Sequence, residues 1–130
     1  MKVTGFSHIT LKVRDLKASL EFYQGILGMN VRHRGRIDAY LEWGSAWVCL
    51  LERTVTKEPL DEFAGMDHVA FYIAEEDFND AVDILQKHHV EIVRGPVQRG
   101  TGWSVNFLDP DGIQLELHTS TLDERMKVWR

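Results

Sequence analysis

The chain reads as an α+β fold made from a duplicated module, strand–helix–strand–strand–strand, with the two copies curling around a common cleft. Three observations predict it. Gly5-Phe6-Ser7-His8-Ile9-Thr10-Leu11-Lys12-Val13 matches Gly65-Met66-Asp67-His68-Val69-Ala70-Phe71-Tyr72-Ile73: each opens on Gly, places a His three residues later and then runs apolar at every second position. That period is the signature of a strand with one buried face. Each stretch is followed by an amphipathic helical pattern and then by short β-rich runs, which makes the match a repeated unit and not a chance motif.

The elements follow in order. The first module spans about residues 4–53. After its opening strand, Asp15 is placed to cap a helix whose buried face is Leu16, Leu20, Tyr23 and Leu27, and Gly28 stops it. Three strands are expected next, Met29–Arg34, Ala39–Trp43 and Trp47–Glu52, with Gly44-Ser45 as the last turn. Thr54–Phe63 carries charge and a proline without any period and reads as the linker. The second module spans about residues 65–119. Phe78, Ala81, Val82 and Leu85 mark its helix face; Val90–Val93 is a strand broken by Gly95-Pro96, and Gln98–Gly102 a polar loop. Trp103–Leu108 and Ile113–His118 are strands joined by Asp109-Pro110-Asp111-Gly112, a tight-turn sequence. Thr121-Leu122-Asp123-Glu124 has the form of a capping box opening a C-terminal helix that ends near Trp129. Either module alone has too little core to be stable, so residues 1–130 are expected to form one domain.

Composition narrows the function. The net charge of −5 argues against a nucleic-acid binder. The basic run Arg32-His33-Arg34-Gly35-Arg36 is local, a solvated hairpin or an attraction for an anionic substrate at a cavity mouth. There is no apolar run long enough to span a membrane and no signal-peptide core at the N-terminus. The single Cys49 cannot form an internal disulfide, so a reduced, cytoplasmic compartment is expected.

An isolated His in a strand is usually a hydrogen-bonded core residue. Here His8 and His68 repeat in register, and Glu116 leaves the apolar layer on a strand whose alternate face is Ile113, Leu115 and Leu117. If these faces line the cleft, two imidazoles and a carboxylate converge as a facial triad with open positions. Such a set suits Mn²⁺, Fe²⁺, Zn²⁺, Ni²⁺ or Co²⁺. His118, two residues after Glu116, shares its face and is a candidate fourth ligand, though better read as a pocket wall or supporting group. His33, His88 and His89 have no comparable partner, and the tandem His88-His89 stands at a helix C-terminus, where the dipole favours positive charge.

These residues resemble the vicinal oxygen chelate superfamily, which includes glyoxalase I, extradiol dioxygenases and the fosfomycin resistance enzymes. Ser7–Leu11, Ala39–Gly44, Trp47–Leu50, Phe107–Gly112 and above all Leu115–Arg125 read like the fosfomycin resistance group. The resemblance covers nearly the whole chain and implies paired βαβββ modules around a divalent metal held by His8, His68 and Glu116. It implies Thr10 as the hydroxyl beside the epoxide oxygen, Arg125 on the phosphonate, and Tyr40 and Trp47 as pocket walls. The implied reaction is epoxide opening by a thiol or water on a small anionic substrate, in a homodimer that shares each site between subunits. Asp38 falls near the position where water-using members carry a carboxylate base. Asn106 stands where the family carries a Tyr, Pro96 where it carries a Lys, and Arg99 is the candidate replacement for that positive charge.

Within the superfamily, glyoxalase I takes a fourth ligand from the first module. Aligning Gly44–Leu51 with Gly112–Leu117 puts Leu50 opposite Glu116, with Glu52 usable only after a register shift. An extradiol dioxygenase requires an added His and Tyr, and the Tyr falls at Asn106. A non-enzymatic sequestering protein of this fold would lack the metal ligands that are present here.

Overall fold

The alternating run after His8 becomes β1 (Ile9–Val13) in the computed structural model, which describes residues 1–2, 6–54 and 66–128. The chain divides into two units, Met1–Pro59 and Leu60–Arg130. Apart from Thr54, the linker expected over Thr54–Phe63 lies outside the described residues, as do Gly5, Gly65 and Trp129.

In the first unit, β1 is followed by α1 (Leu16–Leu20), a π-wound continuation (Glu21–Ile26), and β2 (Asn30–Arg34), β3 (Asp38–Trp43) and β4 (Ala46–Glu52). The sheet order is β1-β4-β3-β2, with β1 parallel to β4 and the other pairs antiparallel. Asp15 caps α1 as expected, its Oδ1 accepting from the Ala18 N–H at 3.1 Å. The helical period misplaced one contact. In the π-wound turn the Leu27 N–H reaches back five residues to the Phe22 carbonyl. This wider winding turns Phe22 inward beside Tyr23 and leaves Leu27 only half-buried. The apolar layer of this unit is Leu11, Val13, Leu16, Leu20, Phe22, Tyr23, Leu41, Val48 and Leu50, all buried.

In the second unit, β5 (Val69–Tyr72), α2 (Glu75–Lys87), β6 (Ile92–Arg99), β7 (Gly102–Leu108), β8 (Gln114–His118) and α3 (Leu122–Val128) follow in order. The sheet repeats the first, β5-β8-β7-β6, again with one parallel pair, β5 and β8. Phe78, Val82 and Leu85 of α2 are buried with Val105, Phe107, Leu115 and Leu117 of the sheet. Acidic Glu75, Glu76 and Asp77 in the first turn of α2 and Lys87 in its last match the helix dipole. The turn at 109–112 is held by Asp109, whose Oδ1 accepts from the backbone N–H of Asp111 and of Ile113, each at 2.8 Å.

One strand differs from expectation. Gly95-Pro96 does not end β6; the strand runs on to Arg99 and also takes up the start of the supposed loop. Pairing jumps from Arg94↔Asn106 to Val97↔Ser104, so Gly95 and Pro96 form a bulge. β6 is an edge strand, where the missing N–H of a proline costs no ladder bond. Gly95 has φ of +91°, and a Cβ there would lie 2.6 Å from the Ser104 carbonyl oxygen, so glycine is required.

Candidate metal centre and substrate pocket

Pleating puts alternate residues of each sheet on the face away from the helix. In the second unit that face is polar. Register places Arg94, Asn106, Glu116 and Ala70 on one row across β6, β7, β8 and β5, and Ser104, His118 and Tyr72 on the next. His68, one residue before β5 and two before Ala70, reaches Glu116 from the same face: its Nε2 lies 3.8 Å from Glu116 Oε1. The repeat of the two histidines is reflected locally, since His68 Nδ1 lies 2.7 Å from Asp67 Oδ2 and His8 Nδ1 lies 2.9 Å from Ser7 Oγ.

The donor set fits a divalent cation. With the Asp67 carboxylate accepting from Nδ1–H, the His68 lone pair is on Nε2, the atom that faces Glu116. Two donors each about 2.1 Å from one ion stand about 3.0–3.4 Å apart, slightly closer than this pair. Glu116 is nearly buried, and its other oxygen lies 3.5 Å from His118 Nδ1. Three buried polar atoms on or beside this row, Ser104 Oγ, Asn106 Nδ2 and His118 Nδ1, have no hydrogen-bond partner among the described residues. Among the described residues, no group of three or more His, Cys, Asp or Glu gathers as a metal cluster.

A pocket of about 300 Å³ opens beside Glu116 and is lined by His118, Tyr72, Ser120, Thr121 and Arg125 among others. His118 is fixed in its wall, with Nε2 2.8 Å from Ser120 Oγ. Arg125 is carried there by α3, whose N-terminus is the capping box expected from the sequence. The Thr121 N–H donates to Glu124 Oε2 at 2.7 Å, and the Glu124 N–H donates to Thr121 Oγ1 at 3.2 Å. The bond from the Thr121 backbone, and then that from its hydroxyl, hold the Glu124 carboxyl below its usual pKa.

In the first unit, His8, Thr10, Tyr40, Trp47 and Asp38 share the face away from α1. The His8 and Trp47 rings are 4.3 Å apart and Tyr40 and Trp47 6.1 Å, while Thr10 and Tyr40 both pair with Cys49. Asp38 opens β3, and its Oδ1 lies 3.4 Å from His33 Nε2, whose ring meets Tyr40 at 4.9 Å. His33, given no partner by the sequence, therefore has one.

Register corrects the comparison of the two last strands. Thr10 pairs with Cys49 as Ala70 pairs with Glu116, so Cys49, not Leu50, is the counterpart of Glu116. Cys49 follows Gly44 by five residues and Glu116 follows Gly112 by four, an offset that matching the ends of the two segments does not give. Leu50 is fully buried in the apolar layer, and Glu52 is occupied elsewhere: its Oε2 accepts from the Leu16 N–H at 2.7 Å, at the start of α1.

The cation on the row of Glu116 is Arg94, which sequence reasoning missed. Its Nη2 lies 3.9 Å from Glu116 Oε1 and 3.5 Å from Asn106 Oδ1. Arg99 ends β6 opposite Gly102, nearer the hairpin tip; neither it nor Arg94 is among the residues that line the pocket. The bulge at 95–96 sets this difference and is invisible to a count of residues along the chain.

Comparison with known proteins agrees with this architecture. The model of the Glyoxalase/Bleomycin resistance protein/Dioxygenase superfamily matches residues 5–117. The chain is 36% identical to the metallothiol transferase FosB of Staphylococcus epidermidis, over 100% of this chain and 92% of that protein. It is 36% identical to the glutathione transferase FosA of Serratia marcescens, over 95% of this chain and 86% of that one. Among solved structures, the fosfomycin resistance protein FosX of Listeria monocytogenes, complexed with Mn(II) and sulfate, superposes with a TM-score of 0.81 at 29% identity. That match covers 99% of this chain and 100% of FosX.

Proposed function

Because the chain belongs to the Glyoxalase/Bleomycin resistance protein/Dioxygenase superfamily, we propose that it is a metal-dependent enzyme of the fosfomycin resistance type. It opens an epoxide on a small anionic substrate, with a thiol or water as nucleophile. The observation that carries this reading is the pairing of His68 with Glu116 beside a pocket that also holds Arg125.

His68 and Glu116 would hold the ion with His8, in a homodimer where His8 comes from one protomer and the other two ligands from its partner. The metal is one of Mn²⁺, Fe²⁺, Zn²⁺, Ni²⁺ or Co²⁺, and the Mn(II) in FosX favours the first. When bound, the ion supplies Lewis acidity toward the epoxide oxygen. The chain's own residues do the rest. Arg125 holds the anionic group through its forked N–H donors. Thr10 donates to the oxygen on which charge develops. Tyr40 and Trp47 form an aromatic wall that excludes water, and Asn106, His118 and Arg99 complete the polar surround. In a hydrolytic reaction Asp38, already in contact with His33, takes the proton from water. A thiol co-substrate and the reduced Cys49 fit a cytoplasmic setting.

His68→Ala and Glu116→Ala should each abolish binding of the ion, read as metal per chain by elemental analysis; unchanged stoichiometry in both would remove the proposal. The activity is tested by giving the metal-loaded protein fosfomycin with glutathione, cysteine, bacillithiol or water. A catechol and the hemithioacetal of methylglyoxal serve as controls. Turnover of fosfomycin is expected; turnover of a control alone would move the chain to the dioxygenase or glyoxalase branch.

A further inference from the structure

We infer that His118 is a positioning residue: it holds the Glu116 carboxylate by one oxygen and leaves the other for the ion, an inference resting on the reading of His68 and Glu116 as metal ligands. The two carboxylate oxygens have different neighbours. Oε1 lies 3.8 Å from His68 Nε2, and Oε2 lies 3.5 Å from His118 Nδ1. The side chains of Glu116 and His118 are 11% and 13% exposed, so little water competes for Oε2. A carboxylate free to swing must be ordered when the ion binds, and one already held at Oε2 is ordered beforehand.

The tautomer of His118 follows from its surroundings. Its Nε2 lies 2.8 Å from Ser120 Oγ, and a hydroxyl can accept or donate there. If the hydroxyl accepts, Nδ1 turns a lone pair toward Glu116 Oε2, and two bare acceptors face each other out of water. If it donates, Nδ1 carries the proton and meets the carboxylate with an N–H. An ionised Glu116 selects the second arrangement. Nδ1 is buried without a hydrogen-bond partner among the described residues, so this N–H has the carboxylate to act on. At 3.5 Å the pair is longer than a formed N–H···O bond, and its attraction is electrostatic.

Ser120 reaches the ring because the chain after β8 is tied to β7. The Thr119 N–H donates to the Trp103 carbonyl at 3.0 Å, and the Trp103 N–H donates to Thr119 Oγ1 at 2.9 Å. Gly102 makes the room for this passage: a Cβ there would lie 2.7 Å from Ser120 Oγ and 2.9 Å from Thr119 Oγ1. Ser120 is buried as a result, and all three of Glu116, His118 and Ser120 line the pocket.

The test uses the full chain, with Mn(II) titrated by calorimetry and urea unfolding of each metal-free variant as the control for folding. An Asn side chain carries its amide nitrogen at the same number of bonds from Cβ as Nδ1, and a Gln side chain at the same number as Nε2. His118→Asn therefore keeps a donor toward Glu116, and His118→Gln keeps only the reach to Ser120. His118→Ala and His118→Gln should bind Mn(II) about 10–100-fold more weakly, and His118→Asn should recover most of that loss. Ser120→Ala, which frees the tautomer, should lose less than His118→Ala. Should the alanine variant not fold, the contrast between His118→Asn and His118→Gln decides alone. Affinity within about two-fold of the parent in His118→Gln would overturn the inference, because outer partners act more strongly than that. Equal losses in His118→Asn and His118→Gln would also overturn it, since the ring would then act by packing. A parent that loses Mn(II) in Glu116→Ala but keeps it in His118→Gln leaves the metal reading standing and removes the role of His118; a parent that binds no Mn(II) removes both.

Discussion

At the scale of single residues, the site depends on which atom of each His is left free. The Asp67 carboxylate accepts a hydrogen bond from the His68 Nδ1–H, so the ring presents Nε2 toward Glu116. A hydroxyl, Ser7 Oγ, has the corresponding place beside His8. Removing such an outer partner commonly costs about 10–100-fold in metal affinity. Asp67→Asn should therefore weaken Mn(II) binding by about that factor while leaving thermal stability nearly unchanged, because Asp67 is exposed. Calorimetric titration against a melting curve separates the two effects; an unchanged affinity would show that the Asp67 contact does not tune the ligand. Glu52 is the contrasting residue. It bonds the Leu16 N–H at the start of α1, so Glu52→Ala should cost about 1–3 kcal/mol by urea unfolding, the price of an unmade part-buried bond to a charged group, with metal stoichiometry unchanged. Lost metal in that variant would revive Glu52 as a ligand. The pattern of residues alone nominates His8 and His68 by their in-register repeat and Glu116 by the alternation along its strand. Arg94 was not legible, because its neighbours are fixed by a bulge, and neither was the pairing of Asp38 with His33, which depends on how β2 and β3 bend.

At the scale of elements, strands with one apolar face, the Asp15 cap, the turn at 109–112 and the Thr121–Glu124 box were all readable, because each rests on local chemistry. The misses have a common physical origin. Phe22 and the run of β6 through Pro96 are decided by tertiary packing and by edge position, which local propensity does not contain. The capping box carries a pH prediction. The folded pKa of Glu124 lies below its usual value of 4.5, chiefly through the Thr121 N–H. A depressed carboxyl pKa means that its contribution is present above the unfolded value and is lost as pH falls through the folded one. The start of α3 should therefore loosen only below the ordinary glutamate range. Amide exchange at Thr121 and Glu124 should accelerate there, while β7 and β8 stay protected. Thr121→Ala should weaken the same helix start by about 1 kcal/mol at neutral pH. Since α3 carries Arg125 to the pocket, that variant should also bind an anion less well. Equal exchange in α3 and β8 across the titration would show that the box does not control the helix.

At the scale of the whole molecule, the two units repeat one topology, and each brings a His one residue ahead of its parallel edge strand. Only the second adds a carboxylate at the paired position, because its counterpart in the first is Cys49. A single ion per chain is thus the expected stoichiometry, and neither repeat has a complete ligand set by itself. Large apolar side chains stay exposed at Phe6, Tyr72, Leu122 and Met126. A homodimer with shared sites has a consequence that a self-contained site does not share. Two inactive variants, His8→Ala and His68→Ala, should restore binding when their subunits are mixed. In a mixed dimer, one site takes the intact His8 of the second variant and the intact His68 and Glu116 of the first; the other site lacks both imidazoles. With random assortment half the dimers are mixed, so about one quarter of all sites should be rebuilt. Mn(II) binding measured after unfolding and refolding the mixture together should rise from none to about that fraction, while each variant refolded alone stays at none. If the ligands all came from one chain, no mixing could rebuild a site, and a mixture as empty as its components would establish that. Light scattering on the same samples gives the independent check: a monomer with full Mn(II) affinity in the parent protein would rule out the shared site.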